Sequence, residues 1–228
     1  MSVDKDKFEL SLQSIQFQVI WRRLISIVEE QARILMKTAF SPVVRESGDL
    51  SAAVFDPQGR MLAQAITGTP GHVNSTAAAV PHFLREYPAP TLSPGDHLIT
   101  NDPWLASGHL HDVTVVSPVF MADKLIALFA CTCHQLDIGG LGQGPDGKSI
   151  FEEGLAIPIM KLVKAGEVNE DLLKIIQNNV RTPYEVQGDI LSYVAANETS
   201  GAKLVEMMRE YDLENLEYTG DQIIERSR

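Results

Sequence analysis

Between residues 14 and 40, Ile15, Val19, Ile20, Leu24, Ile27, Val28, Ala32, Leu35 and Met36 recur at three- and four-residue steps. Arg22, Arg23, Glu29, Glu30 and Arg33 fill much of the remainder, so the stretch reads as one long amphipathic helix that Pro42 helps to stop. The period then changes. LSAAVFD (50–56) and RMLAQAI (60–66) flank Asp56-Pro57-Gln58-Gly59, where Pro presets φ and Gly tolerates positive φ, and predict a hairpin. A Gly/Thr/Pro loop leads to a helix over Asn74–Arg85, with Asn74 or Ser75 as its cap. The turn Ser93-Pro94-Gly95-Asp96 precedes a short strand, HLIT.

Val113–Phe120 and Lys124–Cys133 are apolar and β-branched across a short link, Met121-Ala122-Asp123, and predict an antiparallel hairpin. A glycine-rich loop (139–147) and an extended piece (158–166) follow. Helical patterns then occupy 169–180 and 183–212, the second with an interruption expected between Asn197 and Gly201, and a last one begins in LENLEYTGDQIIERSR. Together these elements predict an α+β fold, with a long N-terminal helix, antiparallel hairpins forming a mixed sheet, and a helical C-terminal part. The apolar pattern runs to the last residues, which suggests a fragment or a truncated subunit.

Composition narrows the function classes. With 19 Lys plus Arg against 30 Asp plus Glu, the formal charge is −11. That balance argues against nucleic acid, which needs clustered cations on phosphates. No apolar run reaches the roughly 20 residues of a membrane helix, and MSVDKDKFEL lacks the pattern of a signal peptide. The two cysteines, Cys131 and Cys133, are too close to form an ordinary disulfide, and the expected compartment is a reducing cytoplasm.

Candidate chemistry concentrates between Gly108 and Gly140, where His109, His111, Asp112, His134 and Asp137 surround the long hairpin. A bend after Gly108 lets His109 and Asp112 converge. With the turn at 121–124, residue 134 returns opposite 111 or 112. The spacing therefore offers a His-Asp-His set with open positions, a donor set suited to zinc, manganese or non-haem iron. The alternative is a group of polar strand ends, with His111 a solvated neighbour.

Other motifs carry less. In Cys131-x-Cys133-His134, strand alternation puts the thiols and the imidazole on opposite faces, so the cysteines are expected in the core. Gly142–Ser149 matches GxxxxGK[ST], but Pro158 leaves no room for the long helix a phosphate loop needs. A mobile loop over the site is the expectation. Asp102, in Asn101-Asp102-Pro103-Trp104, is a candidate to orient a ligating imidazole or else the start of a turn. His72 is a candidate for substrate positioning or else a surface residue. The stretch Arg45–Asp49 reads as a charged connection that either lines the site or is a solvated turn with a local ion pair.

The blocks RESGDLSAAVFDPQGRMLAQA (45–65), GDHLITNDPW (95–104), GHLHDVTVVSPVF (108–120), CHQLDIGG (133–140), EEGLAIPIMKLVKAGEVNEDLL (152–173) and NVRTPYEVQGDI (179–190) resemble the N-terminal part of the hydantoinase B/oxoprolinase family. The resemblance covers nearly the whole chain. It implies an ATP-dependent hydrolase of cyclic amides such as hydantoins, 5-oxoproline or lactams. The related ketone carboxylases, or a non-catalytic fragment that mediates assembly, are the alternatives. It also implies an A-type partner subunit that binds ATP, a hetero-oligomer, and a divalent metal (manganese, zinc or iron) on His109, Asp112 and His134. Asp137 is then the candidate proton acceptor, with Asp102 and His72 in supporting roles. Two positions depart from the family pattern: His111 stands where many relatives have Pro, and Gln135 where they often have a second His. On this reading residues 1–166 form an α+β metal-site domain of hydantoinase B type, and 167–228 a helical segment that starts a truncated C-terminal region.

Overall fold

The computed structural model describes residues 2–142 and 144–227, with side chains from residue 14 onward. Helix α1 (Ser2–Thr38) and the short α2 (Pro42–Arg45) lead into strands β1 (Leu50–Phe55) and β2 (Met61–Gln64). Helix α3 (Pro70–Glu86), a 3-10 turn (Ala89–Thr91) and strand β3 (His97–Thr100) come next. The long hairpin is β4 (Asp112–Met121) and β5 (Lys124–His134). After it come α4 (Ile150–Glu153), β6 (Met160–Lys164), β7 (Glu167–Val168), α5 (Glu170–Asn179), α6 (Pro183–Glu210) and α7 (Glu217–Arg226).

The strands form one sheet in the order β2-β1-β5-β4-β3-β6-β7. The α+β architecture is as expected, but the sheet is not mixed, because each of its pairings is antiparallel. Parallel neighbours need a crossover connection. Here β1–β2, β4–β5 and β6–β7 are joined by short turns, and α3 links strands that are not adjacent.

Strand alternation divides the core into two layers. Ala52 and Val54 of β1, Val113 and Val115 of β4, and Phe129, Cys131 and Cys133 of β5 face the cluster that includes Leu24, Val28 and Leu35 of α1 and Tyr193 and Leu204 of α6. Ala53, Phe55, Val116, Leu128 and Ala130 face the other way, onto Ala79, Val80 and Phe83 of α3. Both cysteines are buried free thiols, as strand alternation predicts. The stripe on α1 is buried as expected at Ile20, Leu24, Ile27, Val28, Ala32 and Leu35, but Ile15 and Val19 are exposed and Phe17 and Gln31 are buried in addition.

Two element boundaries differ in ways that matter. Helix α3 begins at Pro70, four residues before the expected start, because Pro at the first position presets a helical φ. His72 thereby sits on the first helical turn. Helix α6 runs without interruption through Asn197 and Gly201. Asn197 donates from Nδ2 to the Val115 carbonyl (3.3 Å) and to Ser117 Oγ (2.9 Å), and its Oδ1 accepts from Gln31 Nε2 (2.6 Å). A Cβ on Gly201 would lie 2.9 Å from Val119 Cγ2, so glycine here permits close helix–sheet contact. Tertiary partners thus supply what local helix propensity withholds. No helix among the described residues is long and apolar enough to cross a membrane.

Asp96, fully buried between β3 and β6, accepts from Lys161 Nζ (2.6 Å) and from the backbone N–H groups of Ser93 (2.8 Å) and Ala165 (2.9 Å). Burial pushes its pKa up, but these bonds outweigh burial and hold it below the ordinary carboxylate range. Removing one partner of such a pair costs about 3 kcal/mol, so Asp96→Ala is expected to lose that much in urea unfolding at neutral pH. The folded pKa lies below the unfolded one. The stabilisation is therefore present above about pH 4 and lost as pH falls through the folded value. The gap between wild type and variant should narrow on acidification.

Candidate metal centre

The face of the sheet toward α3 changes character along its strands. At one end lie Phe55, Leu128 and Val116. Further along, Thr76 of α3 meets Ser51 Oγ (2.9 Å) and Thr132 Oγ1 (2.7 Å), and Thr132 meets Thr114 Oγ1 (2.8 Å). Two residues further on each strand, the same face presents Asp112 and His134, which pair directly, with Asp49 just before β1. His72 lies one helical turn before Thr76 and reaches this last row. A step of two residues per strand and four per helix carries the polar gradient across the layer.

Asp112 is the centre of the cluster. It is 1% exposed, yet its Oδ2 lies 3.1 Å from His72 Nε2 and 3.1 Å from His109 Nε2, and its Oδ1 3.1 Å from His134 Nδ1. The Ser107 hydroxyl also donates to it. Burial alone would raise its pKa, but the bonds from His109, His134, His72 and Ser107 overcome this and keep it ionised far below the usual range. His109 is raised, chiefly by its bond to Asp112. His72 is raised as well: burial opposes its charge, but the bond to Asp112 and the charges of Asp112 and Asp49 prevail.

The expected hairpin geometry holds at the decisive point, because Asp112 is the cross-strand partner of His134. Donor atoms of His109, Asp112 and His134 all lie within 4.8 Å of one another. This donor set fits a divalent ion. It offers imidazole nitrogens and an ionised carboxylate, and His109 and His134 border a cavity of ≈ 270 Å³.

The other sequence candidates are placed as follows. His72 is buried behind Asp112 and is not a surface residue. Asp137 is held by Arg181: its Oδ1 accepts from the guanidinium (2.8 Å) and from the Gly139 N–H (3.0 Å), and its Oδ2 from the Arg181 N–H. Burial would raise its pKa, but the bonds from Arg181 and Gly139 lower it. Asp102 Oδ1 accepts from the Trp104 N–H at 2.9 Å, which is the turn arrangement. The segment after Asp137 is pinned where Arg181 bonds the Gly140 carbonyl. A Cβ at Gly140, φ +59°, would collide with the carbonyls of Glu152 and Glu153. Gly142 and Gly144 of this loop line the cavity, and α4 after it is four residues long, too short for a nucleotide-loop helix.

The structure also decides between alternatives that the sequence leaves open. His111 is not a solvated neighbour. It is 5% exposed, lines the cavity and stacks on His134, with ring centres 5.3 Å apart and planes at 11°. The residue precedes β4, so strand alternation does not fix its side of the sheet. Asp49 accepts from Thr69 Oγ1 (2.6 Å) and lies 3.7 Å from His72 Nδ1 and 3.9 Å from His134 Nδ1. The local ion pair expected beside it exists between Arg45 and Glu46, both exposed. Ser107 and Glu153 carried no sequence signal.

Fold and site define a helix-covered antiparallel sheet with imidazoles gathered round one buried carboxylate at the sheet's end. Residues 13–228 match the Hydantoinase B/oxoprolinase family, and the chain belongs to that family. It is 31% identical over 214 residues to 5-oxoprolinase 1 of Arabidopsis thaliana, covering 87% of this chain and 17% of that protein. It is 27% identical over 223 residues to a putative D-/L-hydantoinase component of the B type from Pseudomonas sp. NS671, covering 93% and 37%. Among solved structures, it matches an ATP-dependent caprolactamase from Pseudomonas jessenii with a TM-score of 0.83 at 28% identity, over 92% of this chain and 36% of that one. The chain thus spans well under half the length of these relatives.

In metal-free protein, His72 and His109 are expected to titrate above the ordinary 6.5 in NMR titrations, and to move down in Asp112→Asn. Because both folded values are raised, their stabilisation is present below about pH 6.5 and lost as pH climbs through them. The wild-type thermal denaturation midpoint should therefore fall as pH rises across that range, and Asp112→Asn should flatten the slope.

Proposed function

We propose that this chain carries the metal centre of a B-type subunit in an ATP-dependent enzyme that opens cyclic amides, working with an A-type subunit that binds ATP. The observation that carries the reading is the buried Asp112 carboxylate, 3.1 Å from each of three imidazoles, with the donor atoms of His109, Asp112 and His134 converging beside an open cavity. Support for the substrate class and the ATP requirement comes from the family and from the names of its relatives: a 5-oxoprolinase, a B-type hydantoinase component and an ATP-dependent caprolactamase.

In this reading His109, Asp112 and His134 hold a manganese, zinc or iron ion. The ion, when bound, supplies Lewis acidity toward a carbonyl or phosphoryl oxygen or toward a water. His72 and Ser107 fix the orientation of Asp112 and keep it ionised, as bonded partners of a ligating carboxylate do. Asp49, next to both His72 and His134, balances imidazole charge. Asp137 is occupied by Arg181, so its role is to hold the loop that walls the cavity.

The test is elemental analysis of the purified protein beside His109→Ala/His134→Ala. About one equivalent of metal in the wild type, lost in the double variant, is the expected result, with His134→Ala also abolishing turnover in the assembled enzyme. Equal metal in both proteins, or full turnover by His134→Ala within the complex, would sink the reading.

A further inference from the structure

Two members of the cluster, His109 and Asp112, stand at the ends of one backbone turn, in which the Asp112 N–H donates to the His109 carbonyl (3.3 Å). The His111 carbonyl accepts from the Gln135 N–H (2.7 Å), which ties the turn to the residue after His134. The carbonyl between these two, that of Leu110, accepts from Asn101 Nδ2 (2.8 Å). Leu110 is fully buried, and a buried carbonyl has to find a donor. Asn101 supplies it from the end of β3.

Asn101 is itself fully buried, and both ends of its amide are engaged. Its Nδ2 also donates to the Leu155 carbonyl (2.9 Å), and its Oδ1 accepts from the Ile157 N–H (2.6 Å). Its backbone N–H donates to the Ile157 carbonyl (3.2 Å). Leu155 in turn donates its N–H to the Ile138 carbonyl (2.8 Å), one residue past Asp137. One amide therefore joins the end of β3, the turn with His109 and Asp112, and the segment 155–157. Two carbonyls on one side and an N–H on the other fix which way it points. Of side chains this short, asparagine alone offers two N–H donors and an acceptor.

The consequence for the cluster is geometric. The His109 side chain is 43% exposed, so packing does little to hold it, and its 3.1 Å approach to Asp112 depends on the backbone turn that carries both. The motif Asn101-Asp102-Pro103-Trp104 offers Asp102 to orient a ligating imidazole, but Asp102 serves its own turn. The geometry points to its neighbour: Asn101 is a positioning residue of the metal centre. It sets the spacing of His109 and Asp112 through the Leu110 carbonyl and couples that spacing to the segment 155–157. This assignment rests on the metal-centre reading above and adds what holds the ligands in place before the ion arrives.

The experiment measures zinc affinity by chelator competition, with urea unfolding of the same proteins free of metal. Asn101→Leu keeps much of the side chain's shape without its hydrogen bonds, and Asn101→Ala removes shape and bonds together. Each should weaken zinc about 10–100-fold, the range for residues that orient metal ligands. Cobalt(II) loaded in place of zinc should show an altered visible absorption in both. Asp96→Ala weakens the fold at the other end of β3 and should leave zinc affinity and the cobalt spectrum unchanged, which separates positioning from a general loss of stability. The wild type supplies a test that needs no variant. Zinc loading should slow hydrogen exchange at the Ile157 N–H, whose acceptor is Asn101 Oδ1, because a coupling acts equally in both directions. Wild-type zinc affinity in both Asn101 variants would overturn the inference and leave the metal reading standing, as would an equal loss in Asp96→Ala. Unchanged exchange at Ile157 on zinc loading would overturn it too, even where the Asn101 variants do not fold. Failure of the wild type to bind zinc at all would overturn the metal reading and this inference together.

Discussion

A carboxylate shut away from water must be paired, and Asp112 is the point at which this fold meets that requirement. Its partners come from separate parts of the chain: His72 from α3, Ser107 and His109 from the segment before β4, and His134 from the end of β5. Each partner requires its element to lie where it does. If α3 slid along the sheet, or β5 shifted by one residue against β4, a buried charge would lose its bonds. The same bonds keep Asp112 ionised, the form in which a carboxylate can hold a cation. Structural demand and candidate chemistry thus rest on one group.

The site grows out of the sheet by a graded change in side-chain polarity. Along β1, β4 and β5, alternate residues facing α3 pass from apolar to hydroxyl to charged, and α3 follows with Phe83, Val80, Thr76 and His72. The apolar end packs the layer and the hydroxyl row satisfies its own bonds. The charged end is thereby presented at the sheet's limit, beside a cavity. Such placement makes the cluster rigid, because it stands on strands and a helix turn and not on loops alone.

Two further polar fixtures frame the site without joining it. Asp137 with Arg181 ties the loop after β5 to the start of α6, and Asp96 with Lys161 ties β3 to β6. Both carboxylates are held ionised by hydrogen bonds stronger than the burial that opposes them. In a chain of net charge −11, the acidic residues hold these joints together as well as covering the surface.

Local physics made much of this legible from sequence. A short turn at 121–124 brought His134 opposite residue 111 or 112, since counting along two paired strands needs no knowledge of the rest of the chain, and the structure settles on Asp112. Strand alternation sent Cys131 and Cys133 to the core. Other features depended on which elements meet. Asn197 and Gly201 read as helix breakers, yet Gln31, Ser117 and Val119 from distant elements make them packing residues inside α6. Asp49 read either as lining the site or as part of a solvated turn, and His111 either as one of the clustered histidines or as a solvated neighbour. Ser107 and Glu153 left no trace in any periodicity. Sequence by itself determined the long hairpin and its register to within one residue, and pointed to the His109–Asp112–His134 set, because spacing and turn length act over a few residues. Only the tertiary structure decided that His72, Asp49, Ser107, His111 and Glu153 surround that set, because their meeting is enforced by packing between elements far apart in the chain.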